Sequence, residues 1–152
     1  MIWIIDRNEE EFVASLRTHV LVDGSFDPIH DGHIEYFEQS TFFGCPVACL
    51  IAPEVYTLSK HPILLPVKKR AKVLEAIRFI DLVVVSQVTT ARAIGLLQPK
   101  VYFKGGDWVG KLPKDIVSAC HSVDCEIRFG REPINSSSKI MDDFTKGARR
   151  EL

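Results

Sequence analysis

Two histidines flank a glycine in GSFDPIHDGH, residues 24–33, directly after an apolar run that ends at Val22. An apolar-periodic run follows, so the motif falls at the predicted start of a helix. Backbone N–H groups at a helix start are unpaired, and Gly32 lets a bulky anion approach them closely. Two imidazoles there can stabilise the charge that grows on a transferring phosphoryl group. His30 and His33 therefore indicate phosphoryl-type transfer, and a capped turn with one packed histidine is the structural alternative.

A metal site is the other chemical interpretation of this histidine pair. The sequence has no cysteine or glutamate near it at the spacings usual for zinc ligands, which disfavours metal ligation by the imidazoles. Cysteines occur at positions 45, 49, 120 and 125, which match neither paired C-x-x-C ligands nor a disulfide framework. We predict that all four are reduced thiols, mostly buried in the core.

The segment KGGDW, residues 104–108, contains groups suited to a nucleotide. Gly105 and Gly106 permit a backbone geometry that leaves amides free for a base or ribose, although a tight turn needs the same residues. Asp107 can orient the ribose, the triphosphate or a metal, or it can cap a turn. Trp108 can form a wall of the nucleotide pocket or belong to the core. Lys104 alone would be a solvated residue at a strand end.

A serine run predicts a second anion site. Ser136, Ser137 and Ser138 present hydroxyls and amides at a predicted helix start. Arg131, a few residues earlier, can bind phosphate through two charge-assisted hydrogen bonds. One serine would satisfy an ordinary N-cap, so three serines leave hydroxyls for a ligand.

Strand-like and helix-like runs alternate along the chain. Strands are predicted at His19–Val22, Val47–Ile51, Leu82–Val85, Lys100–Phe103 and Glu126–Phe129. Helices are predicted at Glu9–Leu16, Gly32–Phe43, Pro66–Phe79, Thr89–Leu97, Pro113–His121 and Ser137–Arg149. Strands without strict alternation and helical crossovers of about ten or more residues favour parallel pairing. We predict an α/β fold, a Rossmann-like doubly wound five-stranded parallel sheet with helices on both faces.

Such sheets bind ligands beyond the carboxyl ends of their strands, where the strand order reverses. This rule selects the loops Asp23–Asp31, Ala52–Leu65, Lys104–Leu112 and Gly130–Asn135. These loops contain most of the residues with chemical potential described above, so we expect them to converge on one cleft.

Composition and charge limit the classes of protein to which this chain can belong. With 152 residues, 46% of them apolar, the chain is expected to form a single domain over residues 1–152, with its motifs at about 18–145. A net charge of −1 produces no long-range electrostatic attraction to nucleic acid or anionic membranes. Any phosphate must therefore be bound by a local group of residues. Apolar runs such as Cys45–Ala52 are too short to span a membrane, and the N-terminus lacks signal-peptide features. We expect a cytoplasmic protein.

Four segments resemble, in the same order, motifs of the cytidylyltransferase-like nucleotidyltransferase superfamily. The first is GSFDPIHDGH itself, with Gly24, Ser25, Phe26 and Asp27 before the histidines. Arg70 matches an arginine ahead of a D-x-V-V strand, here residues 81–84. Residues 104–111 and 131–140 are similar to segments of the branch that acts on heptose 1-phosphate and glycerol 3-phosphate. Lys60 lies in a loop where relatives place a lysine that holds phosphate.

The resemblance implies transfer of CMP or AMP from CTP or ATP to a small sugar- or polyol-phosphate, with release of pyrophosphate. Mg²⁺ would arrive with the nucleoside triphosphate. The implied catalytic residues are His30, His33, Lys60 and Arg131. The implied nucleotide-binding residues are Gly24, Ser25, Phe26, Asp27, Gly32, Arg70, Lys104, Gly105, Gly106, Asp107, Trp108, Ser136, Ser137 and Ser138. Relatives are commonly homodimers, and neither nucleic acid nor a membrane is an implied partner.

Several alternatives stay open. Pro28 is similar to the branches that adenylylate phosphopantetheine or nicotinate mononucleotide, which generally lack the KGGDW segment. A nucleotide-binding regulator that has lost catalysis would keep the fold, but the chain retains both histidines and the serine run. Lys104 with its two glycines resembles adenylylating relatives, whereas Asp107 and Trp108 resemble cytidylylating ones. Ile134 and Asn135 replace a glycine and an isoleucine of the relatives' R-x-x-G-I-S-T-T segment.

Overall fold

A parallel sheet of six strands forms the centre of the computed structural model, which describes residues 1–5, 16–133 and 135–150. The strands are β1 (Ile2–Ile5), β2 (Val20–Gly24), β3 (Val47–Ile51), β4 (Leu82–Ser86), β5 (Val101–Lys104) and β6 (Glu126–Phe129). The helices are α1 (Asp31–Ser40), α2 (Glu54–Leu58), α3 (Val67–Glu75), α4 (Thr90–Leu97), α5 (Lys114–Ser122) and α6 (Ser137–Arg150). The order across the sheet is β1-β4-β3-β2-β5-β6, which confirms the predicted α/β class.

The number of strands is one more than predicted. β1 pairs with β4 in parallel, with Ile2 beside Val83 and Ile5 beside Ser86. This four-residue segment was not predicted as a strand, and it takes its strand conformation from pairing with the edge of β4. The five predicted strands agree with β2 to β6 within two residues at each end. The predicted helix Glu9–Leu16 lies outside the described residues except for Leu16, which is buried.

Helices cover both faces of the sheet, as predicted, because alternate strand residues enter two separate cores. On β2, Leu21 joins the core beneath α4 and α5, whereas Val20 and Val22 join the core beneath α1 and α3. Three of the four cysteines belong to these cores, and Cys45 is half-buried. All four are free thiols, as expected from their spacing.

Three helical segments differ from the prediction. The helix expected over Pro66–Phe79 ends at Glu75, because the N–H groups of Ala76 and Ile77 bond to carbonyls three residues earlier and tighten the chain into turns. The helix expected to end at Phe43 is α-helical to Ser40 and continues as a 3-10 turn, which ends at Gly44 with a left-handed φ of 65°. The loop expected over residues 52–65 contains the five-residue α2, too short for a periodic pattern. No described helix is long and apolar enough to cross a membrane.

The strand order reverses between β2 and β5. From β2 the chain adds β3 and β4 on one side, and then crosses over to add β5 and β6 on the other side. The loops that leave β2 and β5 therefore diverge at the carboxyl end of the sheet and leave a crevice between them. This arrangement brings the GSFDPIHDGH segment next to the KGGDW segment.

Candidate active site

A cleft of about 230 Å³ opens at this switch point. Its lining includes these expected site residues: Gly24, Ser25, Phe26, His30, Gly32, His33, Lys60, Lys104, Asp107, Trp108, Ser136, Ser137 and Ser138. Five expected residues are not part of the lining: Asp27, Arg70, Gly105, Gly106 and Arg131. The loops after β2, β3, β5 and β6 therefore meet at one place, as the topology rule predicted.

The two histidines of the motif cap the start of α1 reciprocally. The Nδ1 atom of His30 accepts a hydrogen bond from the Gly32 N–H at 3.0 Å, and Nδ1 of His33 accepts one from the His30 N–H at 3.3 Å. The two rings stack with their centroids 3.8 Å apart. Because each Nδ1 is an acceptor, the proton of each neutral ring resides on Nε2.

Burial keeps both imidazoles neutral. The His30 side chain is only 7% exposed, and desolvation lowers its pKa. Desolvation, with a smaller contribution from neighbouring His30, lowers the pKa of His33 to about 3. The buried Nε2 of His30 has no hydrogen-bond partner within the described part of the chain. A buried N–H donor without a partner is costly, and a ligand oxygen at this position would satisfy it.

The starts of α1 and α6 face each other across the cleft. The Ser137 hydroxyl donates to the Pro28 carbonyl at 2.9 Å, and the Asn135 amide donates to the Asp31 carboxylate at 3.2 Å. A Cβ on Gly32 would lie only 3.2 Å from the Asn135 carbonyl oxygen, so a glycine allows this close approach. The N-termini of these two helices therefore lie beside one cleft, where the positive ends of both helix dipoles suit a polyphosphate.

The loop that carries Lys60 is held by Asp27. The buried Asp27 carboxylate accepts hydrogen bonds from the N–H groups of Leu64 and Leu65, at 2.8 and 3.0 Å. Lys60 itself is exposed and lines the cleft, with Nζ 4.3 Å from the ring centroid of Tyr56. Asp27 thus positions the loop from beneath rather than contacting the cleft.

Arg70 differs from its expected place at the phosphates. It is fully buried, and its guanidinium donates to the carbonyls of Leu65 and Ser25 at 2.8 and 2.7 Å. It also forms an ion pair with Glu54 at 3.2 Å. The Arg70 charge is therefore directed at protein atoms and not at the cleft. Its position on α3 places the side chain beneath the loops that contain Ser25 and Leu65. The structure therefore assigns Arg70 to loop positioning.

Lys104 lies at the floor of the cleft and is paired with a carboxylate. Its Nζ is 2.7 Å from Oδ1 of Asp23, and the same oxygen accepts a hydrogen bond from the Tyr102 hydroxyl at 3.0 Å. Nζ also lies 4.6 Å from the ring centroid of Trp108. Asp23 and Lys104 are both buried, at 9% and 8% exposed. The Lys104 charge is therefore largely neutralised by the protein.

The glycine pair after β5 allows two loops to approach. A Cβ on Gly106 would lie 2.6 Å from the Gly130 carbonyl oxygen, and the Gly106 N–H donates to the Arg131 carbonyl at 2.8 Å. A Cβ on Gly105 would lie 2.7 Å from Oδ1 of Asp107. These glycines bring the loops after β5 and β6 together and do not line the cleft. Arg131 is exposed, and its N–H donates to the Gln39 side chain at 2.8 Å.

Six cleft residues lie outside the set of expected site residues: Asp23, Tyr36, Tyr56, His61, Pro133 and Asn135. Asp23 had a detectable signal, because it is the first charged residue after the apolar run 20–22. Tyr36 follows His33 by one helical turn, and its hydroxyl donates to the Phe103 carbonyl. The His61 ring bonds through Nδ1 to the Pro62 carbonyl at 2.8 Å, so Nδ1 carries the proton there.

No group of three or more histidine, cysteine, aspartate or glutamate side chains suited to a metal ion occurs among the described residues.

Comparison with known proteins identifies related sequences. The model of the cytidylyltransferase-like family matches residues 21–142. The bifunctional protein HldE of Campylobacter jejuni is 30% identical over 146 residues, which cover 90% of this chain but 30% of that protein. This chain therefore spans less than a third of that relative. FAD synthase of Methanothrix thermoacetophila is 28% identical over 91 residues, which cover 59% of this chain and 64% of that enzyme.

Solved structures share the fold at low sequence identity. A lipopolysaccharide core biosynthesis protein from Thermoplasma volcanium superposes with a TM-score of 0.63 at 17% identity, covering 78% of this chain and 98% of that one. Pantoate-beta-alanine ligase from Francisella tularensis superposes with a TM-score of 0.56 at 11% identity, covering 93% of this chain and 73% of that one. At these identities the likeness concerns the fold alone.

Proposed function

Since this chain belongs to the cytidylyltransferase-like family and is a nucleotidyltransferase, we propose that it transfers CMP or AMP from CTP or ATP to a phosphorylated sugar or polyol. Family membership implies a nucleoside triphosphate and a phosphorylated acceptor as its substrates. The sugar- or polyol-phosphate acceptor rests on the similarity to HldE and on the KGGDW and serine segments. Magnesium is part of the proposal as an ion that enters with the triphosphate.

One observation carries the proposal. The His30 Nε2 atom is buried beside the cleft and has no hydrogen-bond partner within the described residues. His33 is stacked against it with the same tautomer. Two fixed N–H donors of neutral imidazoles suit the oxygens of a reacting phosphorus, because they stabilise added negative charge without reorganising.

The proposed reaction is an in-line displacement at the α-phosphorus. An oxygen of the acceptor phosphate forms the new P–O bond, and the bond from the α-phosphorus to the bridging oxygen breaks. Pyrophosphate leaves with the electron pair of that bond, so no protein nucleophile is required. His30 and His33 donate from Nε2 to the α-phosphoryl oxygens. Because their Nδ1 atoms are occupied by backbone N–H groups, the donors cannot rotate away.

Residues around the histidines would bind the remaining phosphates. The start of α6 and the hydroxyls of Ser136 and Ser138 line the cleft and suit the β- and γ-phosphates. Lys60 supplies the exposed cation on the loop after β3 and suits the acceptor phosphate. Arg131 belongs to the proposal as a flexible cation at the rim, since its backbone is anchored and its side chain is exposed.

The assembly and location are also proposals. The resemblance to dimeric relatives suggests a homodimer, which light scattering on the purified protein would detect as twice the mass of 17.1 kDa. The proposed substrates are cytoplasmic metabolites, so we propose a cytoplasmic enzyme. Fractionation of cells that express the tagged chain tests this location.

Pyrophosphate release tests the function. The chain is incubated with Mg²⁺ and each of ATP, CTP, GTP and UTP, against heptose 1-phosphate, glycerol 3-phosphate, phosphopantetheine, nicotinate mononucleotide and flavin mononucleotide. The last acceptor is included because of the similarity to FAD synthase. One productive pair with a sugar- or polyol-phosphate supports the proposal. Turnover with only another acceptor reassigns the substrate, and nucleotide binding without turnover indicates the regulator.

A further inference from the structure

We propose that Asp23 and Lys104 form a subsite for a substrate hydroxyl group, at the floor of the cleft and separate from the phosphate-binding groups. The inference rests on the proposed function, since it concerns a substrate of that reaction. The ligand chemistry is a neutral carbon bearing hydroxyls, which has two possible sources: the ribose of the nucleoside triphosphate and the polyol part of the acceptor.

The charge of this pair argues against a phosphate. Lys104 Nζ and Asp23 Oδ1 are 2.7 Å apart, and both side chains are buried. A phosphate that approached Lys104 would also approach the Asp23 carboxylate without much solvent between them, where repulsion between like charges is strong. The pair thus offers polar atoms without net charge.

The unused hydrogen-bonding capacity of the pair matches a hydroxyl group. Oδ1 of Asp23 already accepts from Lys104 and Tyr102, whereas the one donor to Oδ2 among the described residues is the Thr90 hydroxyl, at 3.3 Å. The Lys104 ammonium has three donors, of which Asp23 takes one. A hydroxyl can donate to Oδ2 and accept from Nζ at the same time, which a phosphate oxygen or an apolar group cannot do.

An aromatic side chain completes the subsite. Trp108 is half-buried, lines the cleft and lies against Lys104. The C–H face of a sugar or polyol packs well on an indole, while its hydroxyls reach the flanking polar atoms. Asp23 and Lys104 come from the ends of the neighbouring strands β2 and β5, so the sheet sets their spacing, and Trp108 follows in the 3-10 turn after β5.

The test compares hydroxylated and deoxygenated ligands in wild type and Asp23→Asn. In the nucleotide arm, calorimetry gives the Kd of ATP and CTP and of their 2′-deoxy and 3′-deoxy forms. In the acceptor arm, kcat/KM is compared for glycerol 3-phosphate and 3-hydroxypropyl phosphate, and for other productive acceptors and their deoxy forms. Asp81→Asn is the control, because the Asp81 carboxylate also accepts a hydrogen bond, in its case from the Val47 N–H at 2.7 Å, but lies outside the cleft lining.

We expect wild type to prefer the hydroxylated ligand by about 10- to 100-fold in one arm, and Asp23→Asn to lose most of that preference. The arm that responds identifies ribose or acceptor as the source. An unchanged preference in both arms, or an equal loss for hydroxylated and deoxy ligands, would overturn the inference. If Asp23→Asn does not fold, because it leaves the Lys104 ammonium unpaired, the double variant Asp23→Asn with Lys104→Gln replaces it.

The same data separate this inference from the proposed function. If the acceptor panel yields no pyrophosphate, the proposed function fails, whereas the nucleotide arm still reports on the subsite. If turnover occurs but no hydroxyl preference depends on Asp23, the function stands and the subsite is rejected.

Discussion

His30 and His33 each accept a backbone N–H through Nδ1, and each thereby presents an Nε2–H donor beside the cleft. The two bonds run in opposite directions between neighbouring residues of the same helix start. The groups that begin α1 are consequently the groups that would contact the reacting phosphorus. The hydrogen bonds that cap α1 therefore also fix the tautomer of both imidazoles.

Replacing either histidine by asparagine separates these two roles. Asparagine is among the best N-cap residues, and its side-chain oxygen can accept where Nδ1 accepts. It has no donor at the Nε2 position. We expect His30→Asn to keep the free energy of unfolding within about 1 kcal/mol and to lower kcat by about 10²–10³-fold. Urea denaturation and pyrophosphate release measure the two effects.

His121→Asn is the matched control for that variant, because His121 is exposed in the last turn of α5. It should change neither stability nor kcat. Near-normal turnover by His30→Asn would contradict the role assigned to Nε2.

His33 makes stability fall with acid. In the fold its pKa is about 3, whereas a histidine in the unfolded chain titrates near pH 6.5. Between these values the unfolded state binds a proton that the folded state does not. The free energy of unfolding should therefore decrease by about 1.4 kcal/mol for each pH unit lost in this window.

Urea denaturation at pH 7, 6, 5 and 4 on wild type and His33→Asn measures this contribution. Other titrating groups act on both proteins, so the difference between the two curves isolates His33. The variant should show a shallower slope, and parallel curves would contradict the depressed pKa.

Asp27 ties the Lys60 loop to the histidine loop. Asp27→Ala removes two hydrogen bonds from backbone N–H groups to a carboxylate, each worth about 1.5–3 kcal/mol. We expect lower stability, a higher KM for the phosphorylated acceptor, and faster tryptic cleavage after Lys60. Asp115→Ala is the control, since the exposed Asp115 also accepts a backbone N–H, from Ile116 at 2.9 Å. Cleavage after Lys60 at the wild-type rate would argue against this anchor.

Arg70 should affect stability more than substrate binding. Arg70→Met leaves the carbonyls of Ser25 and Leu65 without their donor, whereas Glu54, which is 42% exposed, keeps its bond from the Val67 N–H. Each lost hydrogen bond from the charged guanidinium costs about 1.5–3 kcal/mol. Its exposed neighbour Lys69→Met should change stability by less than about 0.5 kcal/mol. If Arg70→Met kept its thermal stability but raised the KM for the triphosphate, the result would contradict loop positioning and would support phosphate binding by Arg70.

Two glycine substitutions should change the free energy of unfolding in opposite directions. In Gly106→Ala the new Cβ would overlap the backbone of Gly130 and Arg131, so we expect destabilisation and loss of nucleotide affinity. In Gly95→Ala no atom of the residues that the structure describes lies within 4 Å of the new Cβ, and position 95 is exposed and inside α4. Alanine there should stabilise the fold by about 1 kcal/mol. Thermal unfolding distinguishes the two.

Local patterns predicted most of the architecture and the position of the cleft. Three helix starts were predicted to within one residue of their observed positions, at Pro66, Thr89 and Pro113. Capping and proline geometry are local effects, so the sequence alone indicates them. The histidine motif and the serine run meet across the cleft because both follow strands of the same sheet. β1 was not predicted, because its strand conformation depends on pairing with the edge of β4, which is distant along the chain.

Side-chain partners were harder to predict than positions. Lys104 and Arg70 are cations in suitable segments, but their charges are directed at Asp23 and at loop carbonyls. A sequence shows that a charge is present and not which group neutralises it, because the partners lie 81 and 45 residues away along the chain. Asp27 was implied to bind the nucleotide, but its carboxylate accepts hydrogen bonds from a neighbouring loop.

The helix α6 forms one side of the cleft but contributes little to either core. None of its described side chains is fully buried, and Phe144 is 75% exposed. Side-chain bonds from Ser137 and from the preceding Asn135 connect its start to the histidine segment. Such an element opens locally at a low free-energy cost, while the sheet stays closed. Amide hydrogen exchange in α6 should therefore report occupancy of the cleft, since an anion held between the two helix starts slows exchange there first.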